Sequence, residues 1–209
     1  MKKHIRRCYL ILFTLLFSGC SLLPETKQYH VYSLPIATAA PKPNHISVSS
    51  LVLKIAIPYA NQTLDSSRIA VMPERNQLTS YKGARWSDRL PILLRDHMID
   101  TFRKDGRLQT VSTENSALNS DLLLTSEISA FQSEYRDGIP QVHIAIHAQL
   151  INANSRQIIA SQYFEQLMRS NNGEISSVVD AFGVATTQIT NNILTWVINN
   201  QPIGGTRND

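Results

Sequence analysis

Apolar and polar residues alternate with a period of two along several stretches of this chain, and with a helical period along two others. Residues 29–34 alternate and are rich in β-forming side chains, which predicts a short strand. Residues 35–44 contain three prolines and several alanines and read as a loop. Residues 46–57 predict a strand that Pro58 ends. Residues 68–72 and 77–81 predict a hairpin that turns at Pro73-Glu74-Arg75-Asn76. Residues 108–112 predict a further strand, and residues 121–135, 142–153 and 157–168 three long ones. The last three are joined at Arg136-Asp137-Gly138-Ile139-Pro140 and at Asn154-Ser155, as in an antiparallel meander.

The helical period begins at Leu90. Leu93, Leu94, Met98, Ile99 and Phe102 share one stripe, and Gly106 ends it. Ser87 is the expected N-cap, Asp88 is expected in the first turn, and Pro91 is tolerable because it falls so early. Trp86, just before the cap, is placed to staple onto that first turn. The second helix follows Gly173-Glu174. Ile175, Val178, Val179, Phe182, Ala185, Ile189, Ile193, Trp196 and Val197 trace its apolar face.

Strands, helix, strands, helix, with no strand–helix alternation and no internal repeat, predict an α+β fold. The expected architecture is a two-layer sandwich: a mainly antiparallel sheet covered on one face by two helices. One domain over residues 29–200 accounts for the pattern, with a loose tail at 201–209.

Residues 1–19 do not belong to that pattern. Lys2, Lys3, Arg6 and Arg7 precede nine largely apolar residues, 9–17, and then Ser18, Gly19 and Cys20. A basic segment, a short apolar segment and small residues before a cut describe a secretory leader. Nine residues make about 14 Å of helix, against roughly 30 Å of bilayer hydrocarbon, so this is no membrane span. A cysteine placed directly after the small pair is what a bacterial lipoprotein signal requires. The expected cut falls between Gly19 and Cys20, and Cys20 then carries diacylglycerol on its sulfur and an acyl chain on its new amino group. Phe17 stands where leucine is usual, and is still large and apolar. Residues 20–28 form a short tether. The Ser21 that follows, rather than aspartate, is the expected signal for sorting to the outer membrane.

Removing the leader changes the charge. Four of the 20 Lys and Arg leave with it, so 16 remain against 16 Asp and Glu. The net charge of +4 therefore belongs to the leader, and no basic run with interleaved aromatics remains to suggest nucleic-acid binding. Cys8 leaves as well, so no pair of cysteines remains for a disulfide.

Candidate chemistry is sparse. His143 and His147 have the spacing of a helical metal pair, but Val142, Ile144, Ile146 and Ala148 interleave with them at period two. On a strand they stand about 13 Å apart, too far to share one ion. The sequence contains no nucleophile elbow, Walker loop, dinucleotide fingerprint or zinc-protease motif, which argues against an enzyme and offers no cofactor or metal site. Tyr81, Arg85 and Trp86 are candidate partner contacts, although a Trp before a helix start is more often buried.

Residues 67–111 carry a more specific pattern. A strand with Ile69 and Val71, a turn with Asn76 and Leu78, the aromatic Tyr81, then Arg85, Trp86 and Leu90 resemble the ABC-type transport auxiliary lipoprotein family, the PqiC-like proteins. Tyr32 and Leu34 soon after Cys20, and the long strand near residue 121, are similar too. Residues 60–67 depart from the family's common Leu-Asp-Arg-Pro run. The resemblance implies a non-enzymatic adaptor held in the outer membrane at its periplasmic face. Its implied partners are an MCE-domain protein and an inner-membrane ABC permease that move phospholipid between the membranes. The alternative is a carrier that holds lipid or lipopolysaccharide acyl chains itself. Self-association, cargo and the direction of transport are left open.

Overall fold

The computed structural model describes residues 28–36 and 49–202. Cys20 with its leader and sorting residue, the beginning of the second expected strand and most of the tail lie outside the described residues. The elements in order are β1 (His30–Tyr32), β2 (Ser49–Ile55), β3 (Tyr59–Ala60), β4 (Arg68–Glu74) and β5 (Gln77–Trp86). Helix α1 (Leu90–Asp105) and β6 (Leu108–Thr113) follow, then β7 (Leu122–Arg136), β8 (Ile139–Asn152), β9 (Ile158–Arg169) and helix α2 (Ile175–Asn200).

Strand β7 is the spine of the sheet. Along one edge β8 pairs with it antiparallel from end to end, and β9 pairs with β8 in the same sense. Its other edge is shared by three short strands, β2, β3 and β4, all parallel to it. Two wings grow from these: β6 lies beside β2, while β5 and then β1 lie beside β4. The sheet is therefore mixed, mostly antiparallel by paired length, and unclosed. The parallel pairs arise because the chain returns to the same edge of β7 three times, which strand periodicity alone does not specify.

Turn chemistry sets the meander. Asp137 and Gly138 both have positive φ (53° and 74°), the conformation of the favoured two-residue hairpin. A bulge at Ser129 lets two residues of β7 oppose one of β8. Even-numbered residues up to Ile128 face the helices, whereas beyond the bulge Phe131 and Ser133 do. That one-residue slip carries Phe131 into the core and turns Gln132 and Glu134 to the open face.

Both helices pack on one face, as expected. Phe182 of α2 stacks on Phe131 at 5.0 Å between ring centroids, and Trp86 meets both rings edge-on, at 5.4 Å and 6.4 Å. Phe164 and Trp196 form a second edge-on pair at 5.7 Å. Aromatic pairs in these geometries add roughly 0.5–1.5 kcal/mol each beyond burial.

The beginning of α1 differs from the expectation. Arg89, not Ser87, is the cap residue, and no side chain caps the helix. Ser87 instead extends the sheet, donating its N–H to the Tyr32 carbonyl at 2.8 Å. The Leu90 N–H is satisfied by the Ser66 carbonyl at 3.0 Å, and Pro91 has no N–H to satisfy. Asp88 lies outside the first turn, where its carboxylate accepts the Arg89 N–H at 2.6 Å. Gly106, left-handed at φ 80°, ends the helix as expected.

Candidate functional site on the open sheet face

Among the described residues no helix covers the outer face of β7, β8 and β9, and polar side chains gather at its centre. His143, on the central strand, reaches both neighbours: its Nδ1 lies 2.8 Å from a Glu134 oxygen on β7 and its Nε2 lies 2.8 Å from a Glu165 oxygen on β9. A neutral imidazole has one N–H, so only the imidazolium donates both bonds. Gln132 braces Glu134, donating its amide N–H to the same carboxylate at 3.1 Å and accepting the Phe131 N–H at 2.9 Å. Burial pushes the Glu134 carboxyl up, but the bonds from His143 and Gln132 and the charges of His143 and Arg136 more than offset it. The net result is a carboxyl held below its ordinary value.

His147 keeps different company. Its Nε2 lies 2.8 Å from the Ser161 hydroxyl on β9, and it is registered with the exposed Tyr163. The two histidines thus serve separate clusters, as their period-two setting implies. Among the described residues no group of three His, Cys, Asp or Glu is placed to hold a metal ion. The Ser161–His147 contact has the reach of a nucleophile and its base. Among the described residues, however, no carboxylate is hydrogen-bonded to the other nitrogen of that ring to orient it. The exposed Tyr163 ring completes this polar face.

The three residues around the end of β5 separate into different roles. Trp86 is 1% exposed and belongs to the aromatic core, which removes it from any contact surface of this fold. Tyr81 is half-buried and shares a hydrogen bond with Ser133 at 2.8 Å; burial is the main reason its hydroxyl is pushed up to about 12. Arg85 alone is exposed, lying 5.5 Å over the Tyr29 ring. The Glu134–His143–Glu165 bridge was not legible from the sequence. The signal that existed was the register of β7, β8 and β9, but the bulge at Ser129 decides which face Glu134 takes.

The open mixed sheet backed by two helices defines a class of small α+β sandwich domain. The pattern of the ABC-type transport auxiliary lipoprotein component matches residues 32–194, and the chain belongs to that family. Its fold is shared with protein XCC0632 from Xanthomonas campestris, of family DUF330, at a TM-score of 0.75 and 28% identity. That match covers 82% of this chain and 95% of the other. An uncharacterized protein is similar at a TM-score of 0.62 and 15% identity, over 81% of this chain and 99% of its own. The hypothetical protein CT253 from Chlamydia trachomatis shares the fold at 0.52 and 8% identity, over 73% and 98%. No curated protein matches the chain.

Proposed function

We propose that this chain is the outer-membrane-anchored adaptor of an ABC/MCE-type system that moves phospholipid between the two bacterial membranes. It is non-catalytic, and it is held at the periplasmic face by the acylated Cys20, with Ser21 as the sorting residue. Family membership over residues 32–194 carries the reading. The packing favours an adaptor over a carrier of acyl chains. The space between sheet and α2 where a chain would have to lie is filled by Trp86, Phe131 and Phe182 at one end and by Phe164 and Trp196 at the other. The open face of β7, β8 and β9 remains for an MCE-domain partner.

Affinity purification of the tagged chain from membranes is expected to recover an MCE-domain protein. Cys20→Ala is expected to release the chain from the membrane while leaving that partner bound in solution. Recovery of the anchored chain without any MCE-domain protein would overturn the adaptor reading. Acyl lipid extracted in stoichiometric amount from the purified domain would favour the carrier.

A further inference from the structure

Three exposed residues stand in one row across the wing formed by β1, β5 and β4. Val31 is registered with Arg85, and Arg85 with Arg68. Like charges directly opposite on neighbouring strands repel and weaken the pairing. Among the described residues neither guanidinium has a carboxylate within 4.0 Å. Arg89, close by, is already held by Asp65 through a forked contact of 2.5–2.9 Å, and the exposed Lys82 adds a further cation on β5. An anion laid over the row would relieve a repulsion that the fold itself leaves standing.

The place of the row in the chain indicates which anion. Tyr29 lies nine residues after Cys20, a reach of at most roughly 30 Å, so this wing is where the tether enters the domain. Tyr29 and Val31 are 48% and 53% exposed beside the two arginines. Rings, aliphatic side chains and cations side by side suit the boundary between headgroups and acyl chains. A cleft of about 540 Å³ opens beside Arg68 and is lined by Thr63, Thr79 and Ser80, whose hydroxyls suit phosphate oxygens.

We infer that the β1–β5–β4 wing docks on anionic phospholipid headgroups of the membrane that holds the anchor, with Arg68 and Arg85 on headgroup phosphates. The inference rests on the reading that Cys20 is acylated. Docking by this wing leaves the face of β7, β8 and β9 to the partner.

The full chain, expressed with its leader and purified in detergent, is reconstituted into vesicles of phosphatidylcholine alone or mixed with phosphatidylglycerol. Amide hydrogen exchange is then followed over β1 and β5. Two cations near an anionic surface contribute about 1 kcal/mol each, which corresponds to roughly 30-fold slower exchange in the mixed vesicles. That protection is expected to vanish in the Arg68→Gln/Arg85→Gln chain, to weaken in high salt, and to survive Lys104→Gln at the far end of α1. Equal exchange in both kinds of vesicle, or protection that survives the double substitution, overturns the inference. The mass of the same sample reports acylation separately. If Cys20 carries no lipid, the chain is added to the preformed vesicles, and the same comparison decides headgroup docking independently of the anchor.

Discussion

Gly183 on α2 meets Pro35 so closely that a Cβ on the glycine would lie 2.7 Å from the proline Cβ and 2.9 Å from its carbonyl oxygen. The chain leaving β1 therefore crosses the helix through a notch that only hydrogen leaves open. Both opposing atoms are rigid, one in a ring and one in the backbone. Gly183→Ala gains about 1 kcal/mol of helix propensity and meets an overpacking cost of about 1–3 kcal/mol, so a net loss of up to about 2 kcal/mol is expected. Urea unfolding checks the sign. A more stable alanine variant would mean that the strap does not lie in the notch.

Trp86 stands between Phe131 and Phe182, and its removal opens the core where β5, β7 and α2 meet. Trp86→Ala is expected to lower stability by about 3–5 kcal/mol, and Trp86→Phe by less. Domains of this size are held by roughly 5–15 kcal/mol, so the alanine variant loses a large share and is expected to lose near-ultraviolet dichroism well before the parent chain on heating. An unchanged unfolding midpoint would return Trp86 to the surface.

The contrast between Trp86 and Glu134 marks how far the sequence could be read. Strands, helices and the meander follow from period and turn chemistry, because Asp137-Gly138 and Gly106 fix their conformations locally. Burial of the Trp before α1 agrees with the local expectation, but its ring partners, Phe131 and Phe182, come from β7 and α2 rather than from the first turn of α1. The cap of α1 was not, because its first N–H is satisfied by Ser66, which only the assembled fold brings there. The parallel pairing of β2, β3 and β4 on β7 and the bridge from Glu134 to Glu165 depend on long-range register. A single unpaired residue, Ser129, inverts the facing of everything beyond it.

His97 gives the fold a pH dependence of definite sign. The ring is 3% exposed between the helices, with Thr101 at 3.5 Å and Thr187 at 3.4 Å. Burial pushes it down from 6.5 to about 4, against the upward pull of a hydrogen bond to the Pro35 carbonyl and of Asp100; Lys104 adds to the depression. The unfolded chain binds its proton near 6.5 and the folded chain only near 4, so stability falls as pH drops through that interval. Above it the ring is neutral in both states and contributes no slope. At 1.36 kcal/mol per unit the loss approaches about 3 kcal/mol. Urea midpoints measured across the interval are expected to fall more steeply in the parent chain than in His97→Leu; parallel slopes would refute the assignment.

Glu134 acts in a lower window. Its folded carboxyl is held below the ordinary 4.5, so the stability it contributes is complete above that value and is lost as pH falls through the folded one. Glu134→Gln is therefore expected to remove part of the acid loss below 4.5 while leaving the His97 slope above it unchanged. His143→Gln should act in the same direction, through the same carboxyl. Without the imidazole, burial is opposed only by Gln132 and Arg136, so the folded Glu134 takes up its proton nearer to the pH at which the unfolded chain does, and the acid loss due to this carboxyl shrinks. Glu165 is half-exposed, so Glu165→Gln should move the curve little, as solvent-exposed pairs usually do. The carboxylate resonances of the parent chain and the three variants, followed by NMR through the acid range, separate these cases. If Glu134 titrates at the same pH with and without His143, the bridge across β7, β8 and β9 does not hold the charge that its geometry assigns.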